Sequence, residues 1–292
     1  MSGDPGALYA EHRSFLVGLA YRMLGSVAEA EDAVQETFVR AQTARTDDVA
    51  SPRAWLATIV TRICLDQLRS ARARREQYTG EWLPEPVRTD APGAALSPVD
   101  PEDAESLSLA FLVLLERLSP LERAVFLLHE VFDYSHAEIA ATLERDEAAI
   151  RQLFSRAKAH VRAGRPRFAA DPERHRELVI RFATAIGQGD LDGLRALLAA
   201  DAIARSDGGG RAKAALRPVS GDDRVARFLL GLARRASPDL RYELVELNGR
   251  AGLTWSDASG LLGAMSFATD GDRVVEIDMV LNPEKLRAVA AS

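Results

Sequence analysis

The sequence predicts a multidomain chain: two all-α segments, then an α+β segment. Three observations carry this. Apolar residues recur at helical spacing as far as about residue 167. Residues 79–104 hold five prolines and two glycines in 26 positions and split the helical part in two. From residue 240 the pattern turns to strand-like runs, LRYELVEL, AGLTWSD, SGLLGAMSFAT and DRVVEIDMVL, separated by Asn-Gly, Ser-Gly and Asp-Gly. The expected boundaries are 1–78, 79–104, 105–167 and 168–292.

In the first segment Leu8, Phe15, Leu16, Leu19, Met23 and Leu24 form one helical stripe. Ser26 is placed to cap the next helix, with Glu29 closing a capping box. That helix has an apolar face of Ala30, Ala33, Val34, Thr37, Phe38 and Ala41, and an opposite acidic face. Ser51-Pro52 starts a third helix, with Trp55, Ile59, Ile63 and Leu65 directed to a core. The Pro-rich stretch reads as an extended linker. Beyond it, SLSLAFLVLLERL reads as one helix and Ser119-Pro120 starts another. A short helix from Ser135, a turn around Glu144–Asp146 and a longer helix from Glu147 follow. ERHRELVIRFATAIGQGDLDGLRALLAADA gives two more helices, and DDRVARFLLGLARR one helix before the strands, which together predict an antiparallel sheet.

With 292 residues, 47% of them apolar, the chain has material for several cores. No run of 18 apolar residues exists, and MSGDPGALYAEHRSFL lacks a basic-then-apolar leader. A cytoplasmic protein is expected. The single cysteine, Cys64, allows no internal disulfide, and no metal or cofactor is expected.

A net charge of −6 argues weakly against nucleic acid, but its distribution argues for it. Residues 62–75 carry five arginines and one acid; residues 148–167 carry six basic residues and no acid. In the second patch Ile139, Ala140 and Leu143 supply one half of an apolar seam, and Ile150, Leu153, Phe154 and Ala157 the other. This is the pattern of a helix-turn-helix, whose second helix enters the major groove. Arg151, Gln152, Ser155, Arg156 and Lys158 are left for DNA; Arg and Gln read guanine and adenine edges bidentately. The first patch joins Trp55, Thr58, Arg62, Arg69 and Arg72 on one helix, a combination suited to single-stranded or opening DNA.

LYAEHRSFLVGLAYRMLGSVAEAEDAVQETFVRA with SPRAWLATIVTRICLDQLRSARARRE resembles the second domain of extracytoplasmic-function (ECF) bacterial sigma factors. LERLSPLERAVFLLHEVFDYSHAEIAATLERDEAAIRQLFSRAKAHVR resembles their fourth. The resemblance implies that Asp32, Gln35, Glu36 and Phe38 dock on RNA polymerase core, at the β′ clamp helices, with β the other core partner. It implies that the helix from Arg53 to Arg75 recognises and melts the −10 element, and that Arg151, Gln152, Ser155 and Arg156 lie on the −35 element of promoter DNA. EWLPEP in the linker, SDGGGR at 206–211 and LNPEKL at 281–286 resemble the ECF subgroup with a fused SnoaL-like domain. That implies a nuclear-transport-factor-2-like (NTF2-like) cone with a curved antiparallel sheet.

Cone relatives include enzymes that use a carboxylate base with His or Tyr helpers. Here the last histidine is His175, and Asp207, Asp257, Asp278, Tyr242 and Trp255 form no evident constellation. The expectation is no enzyme but a regulatory module, with a small-molecule ligand in the cone as a candidate partner. Prolines hold EWLPEP extended, so Trp82, Leu83 and Pro84 are expected to dock near Asp207, Gly208, Gly209, Gly210 and Arg211 and near Asn282 and Pro283. Trp82 is the expected anchor, and Arg211 is expected to meet Glu81 or Glu85. The rival reading is a helix-turn-helix regulator acting without polymerase core, with a ligand-sensing or cyclase-like domain.

Overall fold

The computed structural model describes residues 5–43, 51–75, 78–91, 96, 101–164 and 171–290. It forms two compact units. One joins Met1–Glu76 with Leu114–Gly164; the other joins Gln77–Val113 with Arg165–Ser292. The linker and residues 105–113, expected to stand apart or to belong to the second helical domain, therefore group with the C-terminal unit.

The first unit begins with α1 (Pro5–Leu24), α2 (Val27–Thr43) and α3 (Pro52–Arg75). Gly25 ends α1 at φ 72°, a conformation glycine adopts without strain. Ser26 Oγ accepts from Glu29 N at 3.3 Å, and Ser51 Oγ from Ala54 N at 3.4 Å, so both predicted starts hold. Leu16, Leu19, Tyr21, Leu24, Leu56 and Val60 are fully buried between the three helices. On α3 the core is made by Leu56, Val60, Ile63, Cys64, Leu65 and Leu68, while Trp55 and Ile59 are half-buried.

The helix expected across SLSLAFLVLLERL is broken in two, α4 (Pro101–Leu107) and α5 (Leu109–Leu115). Ser108 makes the break: its hydroxyl donates to Glu105 O at 2.8 Å and accepts from Phe111 N at 3.3 Å. α4 and α5 as far as Val113 group with the second unit, while α6 (Pro120–Glu130), α7 (His136–Leu143) and α8 (Glu147–Gly164) complete the first. Both α6 and α7 carry full capping boxes, Ser119/Glu122 and Ser135/Glu138, each N-cap worth about 0.5–2 kcal/mol. Glu144, left-handed at φ 53°, makes the tight turn into α8. The buried Arg123 guanidinium donates to Leu115 O and to Met23 O at 2.6 Å and pairs with Glu116, tying α6 to the end of α1.

The second unit contains α9 (Pro172–Gln188), α10 (Leu191–Leu197), β1 (Leu198–Asp207), β2 (Val219–Ser220), α11 (Asp222–Ala233), β3 (Arg241–Leu247), β4 (Arg250–Asp257), β5 (Gly260–Thr269), β6 (Val274–Val280) and α12 (Arg287–Ala290). The sheet order is β2-β1-β6-β5-β4-β3. Two expectations are corrected. LAADA is not the end of a helix: α10 stops at Leu197, Leu198 is extended, and β1 begins there. The sheet is also not wholly antiparallel, because β1 runs parallel to β6. Tight turns join β3 through β6 and force antiparallel pairing, whereas β1 reaches β6 through the rest of the domain and is free of that constraint. Successive strand residues face opposite sides. One side, with Leu253, Met265, Phe267, Ile277 and Met279, packs on α9, α10 and α11. The other, with Val245, Leu247, Ala264 and Val280, packs on Leu83, Leu286 and Val289.

Candidate nucleic-acid interface and linker clasp

The helix-turn-helix is α7, the Glu144 turn and α8. Ile139, Ile150 and Ala157 are buried along its seam, as the spacing required. Arg151, Gln152, Ser155 and Arg156 are exposed on α8, and Lys158 is half-buried. The cations are lightly neutralised from within: Arg151 by Glu147, Arg156 by Glu122 at 3.4 Å, Lys158 by Glu130 at 3.1 Å. All three cations keep at least a third of their side chain in solvent, and pairs at such exposure contribute about 0–1 kcal/mol, so a polyanion can displace them.

On α3, Trp55 and Thr58 are half-buried and Arg62 and Arg69 exposed; the side chain of Arg72 lies outside the described residues. Thr58 and Arg62 are engaged by α7. Thr58 Oγ1 lies 3.2 Å from Thr142 Oγ1, and Arg62 donates to Thr142 O at 3.1 Å and to Glu144 at 2.8 Å. Arg69 pairs with Asp66 at 3.1 Å. On α2, Asp32, Gln35 and Glu36 share an exposed face, with Glu36 paired to Arg40 at 2.8 Å. Phe38 does not join them. It is buried, 8% exposed, with its ring 4.1 Å from that of Tyr9, because the 3.6-residue period carries position 38 onto the same face as Val34. Val39, 57% exposed, occupies the rim instead.

In the second unit the three sequence motifs converge on one buried carboxylate. Asp207 is fully buried. Its Oδ1 accepts from Tyr78 Oη at 2.6 Å; its Oδ2 accepts from Leu83 N at 2.9 Å and from Lys285 Nζ at 2.7 Å. Lys285 Nζ also donates to Leu83 O at 2.5 Å and lies 4.0 Å from the Trp82 ring centroid and 5.0 Å from that of Tyr78. Burial, then the Asp207 carboxylate, push the Tyr78 phenol above its usual range, so it stays a donor. Asn282 Nδ2 donates to Tyr78 Oη at 3.0 Å, and the amides of Leu281 and Asn282 donate to Asp207 O. Gly209, at φ 57°, lets the backbone pass here: a Cβ would stand 2.3 Å from Asn282 Nδ2 and 2.8 Å from Tyr78 Oη.

Further along, the linker adds itself to the edge of the sheet. Thr89 N donates to Glu246 O at 3.0 Å and Asn248 N to Val87 O at 2.8 Å. Asn248, left-handed at φ 53° in the β3–β4 turn, accepts from Val87 N at 3.0 Å and donates to Leu107 O at 3.1 Å. Residues 78–91 are thus a fitted strap.

Two details differ from expectation. Leu83, 1% exposed, is the apolar anchor, with Pro84 and Pro86 buried beside it, while Trp82 is half-buried and serves as a face for the Lys285 cation. Arg211 meets Glu284 at 2.8 Å, not Glu81 or Glu85.

The sigma-70 region 2 pattern matches residues 8–74, and the sigma-70 region 4 pattern residues 108–161. The ECF RNA polymerase sigma factor SigJ of Mycobacterium tuberculosis is 42% identical over 288 residues, covering 94% of this chain and 90% of its own. The chain is an ECF sigma factor. The crystal structure of M. tuberculosis SigJ covers 97% of this chain and 98% of its own, with 36% identity and a TM-score of 0.78. An NTF2-like protein from Mesorhizobium loti covers 39% of this chain and 97% of its own at 18% identity and a TM-score of 0.31. As a sigma factor the protein serves transcription initiation, binding polymerase core and promoter DNA, and is not an enzyme. No helix among the described residues is long and apolar enough to cross a membrane.

In this sigma factor the candidate cone residues are scattered. Asp257 closes the β4–β5 turn by accepting from Ser259, Tyr242 is 46% exposed, and Trp255 lies over Gly263. Asp278 is buried against Arg205 at 3.0 Å, on the sheet side that bears Asp207. His175, the last histidine of the chain, reaches the sheet: Nε2 lies 2.9 Å from Ala251 O and Nδ1 3.4 Å from Thr269 Oγ1. Sequence reasoning missed Tyr78, Asn248 and Lys285. Lys285 stands inside the LNPEKL motif, of which Asn282 and Pro283 alone were singled out. Asn248 was seen only as a turn residue.

Proposed function

We propose that this sigma factor is restrained or supported in cis by a clasp between its linker and its C-terminal domain. The network of Tyr78, Leu83 and Lys285 around the buried Asp207 carries the reading. By fixing residues 78–91, the clasp shortens the free tether between region 2 and region 4, and so limits how far apart they bind DNA. In this reading Arg151, Gln152, Ser155, Arg156 and Lys158 contact the −35 element. Trp55, Thr58, Arg62, Arg69 and Arg72 act at the −10 element. Asp32, Gln35 and Glu36 dock on the polymerase β′ subunit, with β contacts beyond them, in the cytoplasm.

Thr58 and Arg62 must exchange Thr142 and Glu144 for DNA in doing so. The helix-facing side of the sheet is filled by Phe182, Leu229, Met265 and Phe267, which favours a signal carried by the clasp over a small molecule held in the cone. The test is run-off transcription by polymerase core with the full chain on a promoter pool. Defined start sites that disappear with Arg151→Ala/Arg156→Ala support the assignment; defined starts that survive it refute the −35 role of α8.

A further inference from the structure

Two histidines at the start of the helix-turn-helix and on the helix before it go unused in the DNA-binding reading. His129 lies in the last turn of α6 and His136 is the first residue of α7. Their rings lie against each other at a tilt of 35°, with centroids 4.3 Å apart. Phe154 of α8 sets its edge against both, at 4.4 Å from His129 and 5.5 Å from His136. Phe154 lies two residues from Gln152 and Arg156 and one from Ser155, so whatever seats its ring also seats the DNA face of α8. His129 Nδ1 lies 2.7 Å from Tyr134 O, which fixes it as the donor and holds the α6–α7 loop to the ring pair. His136 Nε2 is buried with no hydrogen-bond partner.

We propose that the His129–His136 ring pair is a pH-sensitive positioning element for the recognition helix, which seats Phe154 while His136 is neutral and releases it on acidification. The surroundings give the sign. His136 faces His129 on α6 and Arg151 and Glu147 on α8; its own helix brings Glu138, which is held by the Ser135 cap. Glu147 is the counter-charge within reach, and Arg151 already engages it. Around His129 and Phe154 stand Lys158, 5.2 Å from the Phe154 centroid, and Glu130, which pairs with Lys158. A proton on His136 would also sit at the positive end of α7. Burial first, then His129 and Arg151, hold His136 below its ordinary value of 6.5. The seated form is therefore fully favoured above that value, and is lost as pH falls from there through the lowered one.

Hydrogen exchange on the full chain tests this. Between pH 7.5 and 5.5, after correction for chemical exchange, α7–α8 should lose more protection than α1–α2, by up to about tenfold, the ceiling for an imidazole whose ordinary value lies one unit above pH 5.5, and His136→Gln should abolish the excess. Equal losses in α1–α2 and α7–α8, or an excess that persists in His136→Gln, overturn the proposal. Should that variant not fold, a ring-nitrogen NMR titration of the wild type decides: His136 must titrate below the free imidazole, and an ordinary or raised value overturns it. The link to DNA rests on the −35 assignment and is read separately. A duplex selected by the full chain from a random pool at pH 7.5 should be bound more weakly at pH 5.5, by up to about tenfold, by the wild type only. Loosened α8 with unchanged binding would refute the positioning role while leaving the exchange result standing.

Discussion

Lys285→Met is the sharpest perturbation of the clasp. The substitution keeps the length and apolar stem of Lys285 but removes the ammonium that donates to Asp207 at 2.7 Å and to Leu83 O at 2.5 Å. Asp207, fully buried, is left with Tyr78 Oη and Leu83 N as side-chain partners and no counter-charge. Breaking a buried pair in this way costs about 3–5 kcal/mol. Loss of the ammonium from the Trp82 face adds about 0.5–2 kcal/mol. At about 1.4 kcal/mol per decade, linker opening should rise by at least about a hundredfold. Protection of the Leu83 and Val87 amides against hydrogen exchange reports it directly. The cost arises from an orphaned charge, so adding Asp207→Asn should recover part of the loss. Unchanged Leu83 protection in Lys285→Met, or a double variant no better than the single, would refute the reasoning.

Gly209→Ala should open the same strap, since its Cβ would stand 2.3 Å from Asn282 Nδ2; faster proteolysis between Tyr78 and Asp90 is the readout. Phe38→Ala should cost about 3–5 kcal/mol by denaturant melting, whereas Val39→Ala should change stability by under about 0.5 kcal/mol. Asp278 is pushed up to about 6 by burial, against the pull of Arg205, so its neutral form is favoured in the fold. Folded protein then binds more protons than unfolded between about 6 and the ordinary 3.8, and this group's contribution to stability rises as pH falls through that window. Asp278→Asn should remove that slope in melting curves taken from pH 7 to 5; an unchanged slope counts against it.

The helical half was legible because its signals are local. Ser26, Ser51, Ser119 and Ser135 each announce a start, and the seam of Ile139, Ile150 and Ala157 follows from period alone. Phe38 was misplaced because family resemblance was allowed to override that period. The strand at 198–207 was hidden by its alanines, which suit a helix as well, and its parallel pairing to β6 is a long-range choice. The convergence of the three motifs was legible through the family resemblance, but its chemistry was not. Asp207 and Lys285 are 78 residues apart, and Tyr78 lies 129 residues before Asp207, so no spacing rule joins them. His175 precedes the sheet in the chain but lies against it in space, a juxtaposition that no local signal reveals.

The most direct test of the cis-clasp account is the initiation rate of polymerase core with the full chain against Lys285→Met. Both would be assayed on one promoter pool after amide exchange has shown the strap released. The account predicts the same start sites at a rate changed severalfold in either direction, with the sign telling whether the clasp restrains or supports initiation. Identical rates and identical starts with a released strap would contradict it.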